Sequence, residues 1–284
     1  MLTINFDLSS FEEVEIVPIA DVHIGNPLCN EALLKQIVDY VLEEPENENC
    51  ARICLLNGDL CETVTRHSLG DPFTQVYSPQ TQVALMLKYL KPLTETSEKY
   101  PQGKILSYCA GNHDHNRQYK DSGVSAATSI ACGLGLEDRF STEGCYSFIK
   151  LKELYSNRDK IVYTVYNQHM TGGGTTVGGK ANRVSKITNG LVADLVVGSH
   201  VHSPITFKED IILPNTRSQK LNQQTITYVV TNAFLSYGDY AQRAGLKPAS
   251  TAVPKIFLRQ NRMYVQENKK RVADMRIKKI EVLL

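Results

Sequence analysis

Short apolar runs recur along the chain, broken by polar stretches: VEIVPIA (14–20), ARICLLN (51–57), KILSYCA (104–110), KIVYTVYN (160–167), ADLVVGS (193–199) and TITYVVTNA (225–233). Their Val, Ile and Tyr content suits a pleated surface and predicts buried strands rather than helices. Between the early runs the pattern changes period. NEALLKQIVDYVLEE (30–44) sets Leu33, Leu34, Ile37, Val38 and Val41 on one helical face, with Asn30 placed to cap its start. SPQTQVALMLKYLKPL (78–93) opens with Ser-Pro, a favourable helix start, and carries a similar stripe. Alternating strand and helix predicts an α/β layered core. The second half is richer in strands, including VPKIFL and NRMYVQE. No linker, repeat or low-complexity segment divides the chain, so residues 1–284 are expected to form one domain.

Charge narrows the classes of partner. With 31 basic and 30 acidic residues the net charge is +1, so no global field draws the chain to DNA or a membrane, and any polyanion contact must be local. No apolar run approaches the ~20 residues of a spanning helix. The start lacks a basic segment followed by an unbroken apolar one, so the expected location is the cytoplasm. Seven cysteines, odd in number and without a CxxC pair, suit buried reduced thiols better than a disulfide framework or a thiolate metal site.

The informative residues lie where the strands end. Asp21 and His23 close the first run, Asn57, Gly58 and Asp59 the second, and Gly111 to His115 (GNHDH) the third; Gln168 and His169, then His200 and His202, follow two later ones. Ligands of α/β sheets bind beyond the carboxyl ends of strands, so five strands would deliver these groups to one edge. Of seven histidines only His67 falls elsewhere. A single histidine is most simply a satisfied core or surface imidazole; six so placed are not. In D-x-H and H-x-H the side chains at i and i+2 of an extended chain share a side and reach a common ion. Carboxylate, imidazole and amide oxygen together suit Mn²⁺ first, with Fe, Zn²⁺ or Ni²⁺ as alternatives. The set is too large for one such ion and fits two, ~3.5–4 Å apart, an arrangement that serves phosphate ester hydrolysis.

The ordered set Asp21-x-His23, Gly58-Asp59, Gly111-Asn112-His113-Asp114, His169 and His200-x-His202 resembles the calcineurin-like metallophosphoesterases over residues 15–205. Four further stretches, IVPIADVHIGNPLCN, SLGDPFTQVYSPQTQ, HMTGGGTTVGGKANR and NAFLSYGDYAQRAGLKP, resemble a phage-encoded branch often grouped with DNA-repair exonucleases. The resemblance implies a four-layer α/β/β/α sandwich with two mixed sheets, a dinuclear metal site at the strand C-terminal edge, and a bacterial or phage protein working in the host cytoplasm. It implies that Asp21, His23 and His202 hold one metal, that Asn112, His169 and His200 hold the other, and that Asp59 bridges them. His113 would protonate the leaving oxygen while a metal-bridging hydroxide attacks phosphorus, and Asp114 would orient His113. His115 is left open between a supporting contact, a substrate contact and a surface imidazole. One departure stands out: Ser199 precedes His200 where the family has glycine, which adds a side chain and restricts the backbone.

Weaker signals surround this set. The Gly172–Gly179 loop has backbone amides suited to phosphate oxygens, with Lys180 and Arg183 close behind, although Ala181 breaks any Walker pattern. Arg117 is a candidate phosphate clamp or a solvated arginine. SYGDYAQRAGLKP (236–248) mixes tyrosines with Arg243 and Lys247, suited either to a nucleotide or to packing on the core. KKRVADMRIKK (269–279) is locally basic, most simply a solvated face. The leading expectation is a phosphodiesterase acting on nucleic acid or a nucleotide. The alternative is a phosphomonoesterase acting on phosphoproteins or small metabolites. A scaffold that had lost its metals would show gaps in the ligand set, and this chain shows none. Protein partners are not legible.

Overall fold

Every strand that delivers a candidate ligand lies in the interior of one of two stacked sheets. The computed structural model describes residues 1–66, 68, 71–153, 160–174, 176–188, 190–238, 242, 247–248, 250–267 and 270–284, and describes side chains outside 262–276. One sheet runs in the order β12 (Lys270–Leu283), β11 (Lys255–Glu267), β2 (Glu13–Ile19), β3 (Cys50–Asn57), β4 (Ile105–Cys109), β5 (Phe140–Ser141). The other runs β1 (Leu2–Leu8), β6 (Cys145–Lys152), β7 (Lys160–His169), β8 (Leu195–Ser199), β10 (Lys220–Val230), β9 (Ile205–Asn215). Both are mixed. β2, β3, β4 and β5 are parallel neighbours, as are β7 and β8, whereas β11 and β9 pair antiparallel to their neighbours. Parallel strands end on the same side, so the C-terminal ends of β2, β3 and β4 meet those of β7 and β8 along one edge.

Three apolar layers hold the sandwich together. Between the sheets, Ile16, Ile53 and Leu55 face Tyr163, Val165, Leu195 and Val197. On the outer face of the first sheet, Val17, Ile19 and Leu56 pack under α1 (Glu31–Leu42), α2 (Pro79–Leu90) and α4 (Ala126–Leu134). The short α3 (Gln118–Ser122) precedes α4, and α5 (Val177–Lys186) covers the second sheet through Val184, Val196 and Tyr228. The order is therefore helix, sheet, sheet, helix, the α/β/β/α sandwich expected. Burial on both faces explains why the central strands read as continuous apolar runs. Asn30 caps α1 by accepting from Leu33 N at 3.0 Å, and Ser78 caps α2 by accepting from Thr81 N at 3.2 Å. All seven cysteines are unpaired: five are buried, Cys29 is half-buried and Cys132 exposed. Among the described residues no helix is long and apolar enough to cross a membrane.

Candidate metal centre

Beyond the strand ends the chain turns sharply, and the turns carry the ligand-type residues. Asp21, His23, Asp59, His200 and His202 all have positive φ (52°, 52°, 51°, 89° and 51°), a region where Asp and His are tolerated better than most residues. The loops are tied to one another by backbone bonds from Asp21 N to Gly58 O (3.0 Å) and His23 N to Asp59 O (2.9 Å). Where β3 and β4 end, Gly58 and Gly111 let the two backbones touch: a Cβ on Gly111 would lie 2.2 Å from Asp59 N, and one on Gly58, at φ +83°, 2.7 Å from Gly111 Cα.

Two carboxylates organise the cluster. Asp59 Oδ1 accepts from His113 N at 2.7 Å, and Asp21 Oδ2 accepts from His200 N at 2.9 Å. Their other oxygens, Asp59 Oδ2 and Asp21 Oδ1, are buried without a hydrogen-bond partner. Imidazole nitrogens converge on these two atoms. His202 Nε2 lies 3.2 Å from Asp21 Oδ1 and 3.3 Å from His23 Nε2. His169 Nε2 lies 3.2 Å from Asp59 Oδ2, 3.1 Å from Asn112 Oδ1 and 3.2 Å from His200 Nδ1. Asp59 Oδ2 is also 3.9 Å from His23 Nε2, so it stands between the two groups. Asp21, His23 and His202 form one set with donor atoms within 4.8 Å of each other, Asp59, His169 and His200 form another, and His23, Glu62 and His113 form a third that shares His23 with the first.

Donor atoms aimed at a common point repel one another and leave buried oxygens unsatisfied unless a cation sits among them. The titration of the groups follows from this. Burial works against ionising Asp59, but His169, His113 and His23 outweigh it and hold its carboxyl well below the usual range. Burial likewise opposes charge on His169, yet Asp59 beside it pushes the imidazole up to about 10. His200, desolvated and next to His169, is pushed down to about 4. One ring drawn to hold a proton against a carboxylate marks a place built for positive charge. The mixed oxygen and nitrogen donors fit divalent metal ions.

The structure places His113 over this cluster, its Nε2 3.9 Å from Asp59 Oδ2 and its ring edge-on to His23 at 4.5 Å between centroids. Asp114 is elsewhere than beside that ring. Its Oδ1 accepts from Gly111 N (2.8 Å) and its Oδ2 from Leu60 N (2.9 Å), so it shapes the π-helical turn Asn112–Arg117 from below. Burial, and then Asp59, push its carboxyl up to about 6. The carboxylate facing His113 is Glu62, 3.5 Å from Nδ1 through Oε1, while Glu62 Oε2 sits 2.9 Å from His23 Nδ1. Burial opposes ionisation of Glu62, but its bonds to His113 and His23 prevail and keep it far below the ordinary range. Sequence reasoning passed over Glu62. Its one local signal is an acid in the apolar stretch LCETV, three residues after Asp59.

The remaining candidates divide. Arg117 Nη1 lies 3.0 Å from His113 Nδ1, the same nitrogen that faces Glu62, and its charge works against protonation of that ring. His115 turns to Ser125 Oγ (2.8 Å), the cap of α4, and stacks on Tyr119. Lys180 Nζ donates to Ser203 Oγ and so reaches the rim next to His202. Arg183 is engaged with the glycine loop, donating to Gly173 O at 3.3 Å. The loop is shorter than expected: Thr176 caps α5, and Gly178 and Gly179 lie in the first turn of that helix. A cleft of about 440 Å³ opens beside Asn112 and His169, lined further by Asn116, Tyr166, Gln168 and Glu143. The expectation on 236–248 rests largely on residues outside those described, Arg243 among them; of the basic side chains in 269–279 only Lys278, 2.7 Å from Asp194 Oδ2, and Lys279, paired with Glu281, are described.

No protein-family model matches the chain, and no curated protein sequence does. Among solved structures the chain is similar to a predicted phosphoesterase from Streptococcus pneumoniae, with 9% identity, a TM-score of 0.35, and coverage of 94% of this chain and 98% of that one. It is similar to Vps29 from Chaetomium thermophilum at the same identity and TM-score, with coverage of 94% and 97%.

Proposed function

We propose that the protein is a dinuclear metal-dependent phosphoesterase that hydrolyses phosphodiester bonds of a nucleic acid or nucleotide. The observation that carries this reading is the pair of buried, unpartnered carboxylate oxygens on Asp21 and Asp59 with imidazole nitrogens converging on both. Asp21, His23 and His202 would hold one ion, Asn112, His169 and His200 the other, with Asp59 shared. When bound, two such ions supply the Lewis acidity that polarises a phosphoryl group and acidifies a water. Mn²⁺ is the favoured metal by donor chemistry.

The chain's own groups supply the rest. His113 stands over the cluster, half-buried, its Nε2 free of the bonds that Nδ1 makes. Although burial opposes its charged form, Asp59 and Glu62 raise the imidazole above its ordinary value, which favours the protonated form that would serve a leaving oxygen. Glu62 holds His23 and His113 in mutual register. Lys180 and Arg117 lend positive charge at the rim. The cleft beside Asn112 and His169 has room for a second ester substituent, which favours a diester over a monoester. The likeness to the phage-encoded, exonuclease-like branch supports nucleic acid as the polymer.

Hydrolysis of bis-p-nitrophenyl phosphate beside p-nitrophenyl phosphate, with protein reconstituted in Mn²⁺, tests the reading. Faster diester cleavage, abolished by Asp59→Asn, is expected. Preference for the monoester would instead put the alternative first, a phosphomonoesterase acting on phosphoproteins or small metabolites.

A further inference from the structure

Just below the candidate ligands the inward-facing rows of both sheets change character. Ile53 and Leu55 of β3 are followed by Asn57, Tyr163 and Val165 of β7 by Asn167, and Leu195 and Val197 of β8 by Ser199, all fully buried. With Ser107 of β4 these polar side chains form one chain of bonds. Ser107 Oγ donates to Asn167 Oδ1 (2.8 Å), Asn167 Nδ2 to Asn57 Oδ1 (3.0 Å), and Asn57 Nδ2 to Ser199 Oγ (3.0 Å). Asn57 Nδ2 also lies 3.1 Å from Gln168 O. Ser107 and Asn57 belong to one sheet, Asn167 and Ser199 to the other, so these links cross the seam. The chain ends at a candidate ligand: His169 Nδ1 is 2.9 Å from Ser199 Oγ and 2.9 Å from Asn57 O.

Each candidate ion draws ligands from both sheets. Asp21, His23 and Asn112 follow strands of the first; His169, His200 and His202 follow strands of the second. A shift between sheets would therefore pull every set apart. A carbonyl oxygen only accepts, so the 2.9 Å contact to Asn57 O, which also accepts from Ser199 Oγ, favours the His169 proton on Nδ1 and leaves Nε2, facing Asp59, Asn112 and His200, as the nitrogen that would bind an ion. Ser199, standing where the resembled family has glycine, offers that N–H a second acceptor and ties it to the Asn57 amide. Buried polar groups in a seam that aliphatic residues would fill cost free energy unless all are bonded, and these are.

We propose that Asn57 and Ser199 are positioning residues that keep the His169 proton on Nδ1 and hold the two halves of the metal centre in register, a role that rests on the metallophosphoesterase reading. Calorimetric titration of Mn²⁺ into wild type, Ser199→Ala and Asn57→Leu tests it, with long-range ¹H–¹⁵N spectra of the Zn²⁺-loaded wild type. Wild type is expected to bind two ions, with the His169 proton on Nδ1. Ser199→Ala is expected to weaken one binding step about tenfold, the low end for a partner of a ligating histidine because the Asn57 carbonyl remains, and to change the other by less than about twofold. Asn57→Leu is expected to weaken both. Unchanged binding in Ser199→Ala with only a lower Tm would reduce the chain of bonds to seam packing and overturn the proposal. So would a His169 proton on Nε2 or on neither nitrogen of the loaded wild type, a result that does not depend on any variant folding. Wild type that binds no ion would instead overturn the metallophosphoesterase reading itself.

Discussion

Replacing Glu62 by glutamine separates two accounts of how His113 is held. Glu62 is buried, with Oε2 2.9 Å from His23 Nδ1 and Oε1 3.5 Å from His113 Nδ1. Glutamine keeps the shape and one acceptor but removes the charge. A charge-assisted bond of about 1.5–3 kcal/mol then becomes a neutral one of about 0.5–1.5 kcal/mol. The difference, about 1–1.5 kcal/mol, corresponds to about five- to tenfold in affinity for an ion held through His23. The contact to His113 is longer, and there the loss acts mainly through charge: the ring becomes a weaker base and holds its proton less well at neutral pH. Glu62→Gln is therefore expected to bind Mn²⁺ about tenfold more weakly in one step by calorimetry. At saturating metal it should also turn over a diester with a poor leaving group more slowly than wild type. Asp114→Asn is expected to act differently, lowering Tm by disturbing the bonds from Gly111 N and Leu60 N. The reasoning fails if Glu62→Gln matches wild type in both assays while Asp114→Asn loses turnover with Tm and metal binding intact. The orienting role would then return to Asp114.

His113→Ala is expected to bind both ions and lose about 10²–10⁴-fold in turnover on a nucleotide ester, but much less on a p-nitrophenyl ester, whose leaving group needs no proton; steady-state kinetics on the two substrates checks this. Gly111→Ala would force a Cβ to 2.1 Å from Asp59 Oδ1, and is expected to cost about 3 kcal/mol or more in denaturant unfolding and to abolish metal binding. Metal at a hundredfold excess over Kd should stabilise the fold by about 2.7 kcal/mol per site, raising Tm by several degrees, and a chelator should reverse the gain.

The parts of the fold most legible in the sequence are those buried on both sides. β2, β3, β4, β7 and β8 stand out because both strand faces are apolar, and α1 and α2 because each has a capped, one-sided stripe. β1 and β9 lie at sheet edges, where polar residues alternate with apolar ones and blur into neighbouring loops. α4 buries a stripe of Ala126, Ala127, Ile130, Ala131 and Leu134 that is built mostly of alanine and so stands out weakly, and α5 buries only Val184. In the centre, the expected ligands are recognisable because each lies at or just past a strand end, but the D-x-H and H-x-H pairs converge through left-handed turns (φ 52°, 52°, 89° and 51°) and not along the extended backbone expected. Glu62, Asn57 and Ser199 carry no such local mark as partners of histidines. Glu62 meets His23 and His113, and Ser199 meets His169, only because sheet order brings distant segments together. Asp114 illustrates the converse: adjacency to His113 in sequence suggested contact with its ring, but a tight turn sends consecutive side chains in different directions.

Five of the donor residues hold backbones in the left-handed region, each at a cost of about 1–2 kcal/mol relative to ordinary conformations. That strain lies in the same loops as the converging lone pairs, so both act to spring the loops open when no cation is present. Local opening, rather than global unfolding, is then the route by which their amides meet solvent. Amide hydrogen exchange around Asp21–His23, Asp59 and His200–His202 should accordingly slow far more on metal loading than exchange in the middle of β3 or β8. The turns at the strand ends thus report occupancy of the centre through their own protection, independently of whether any ester is cleaved.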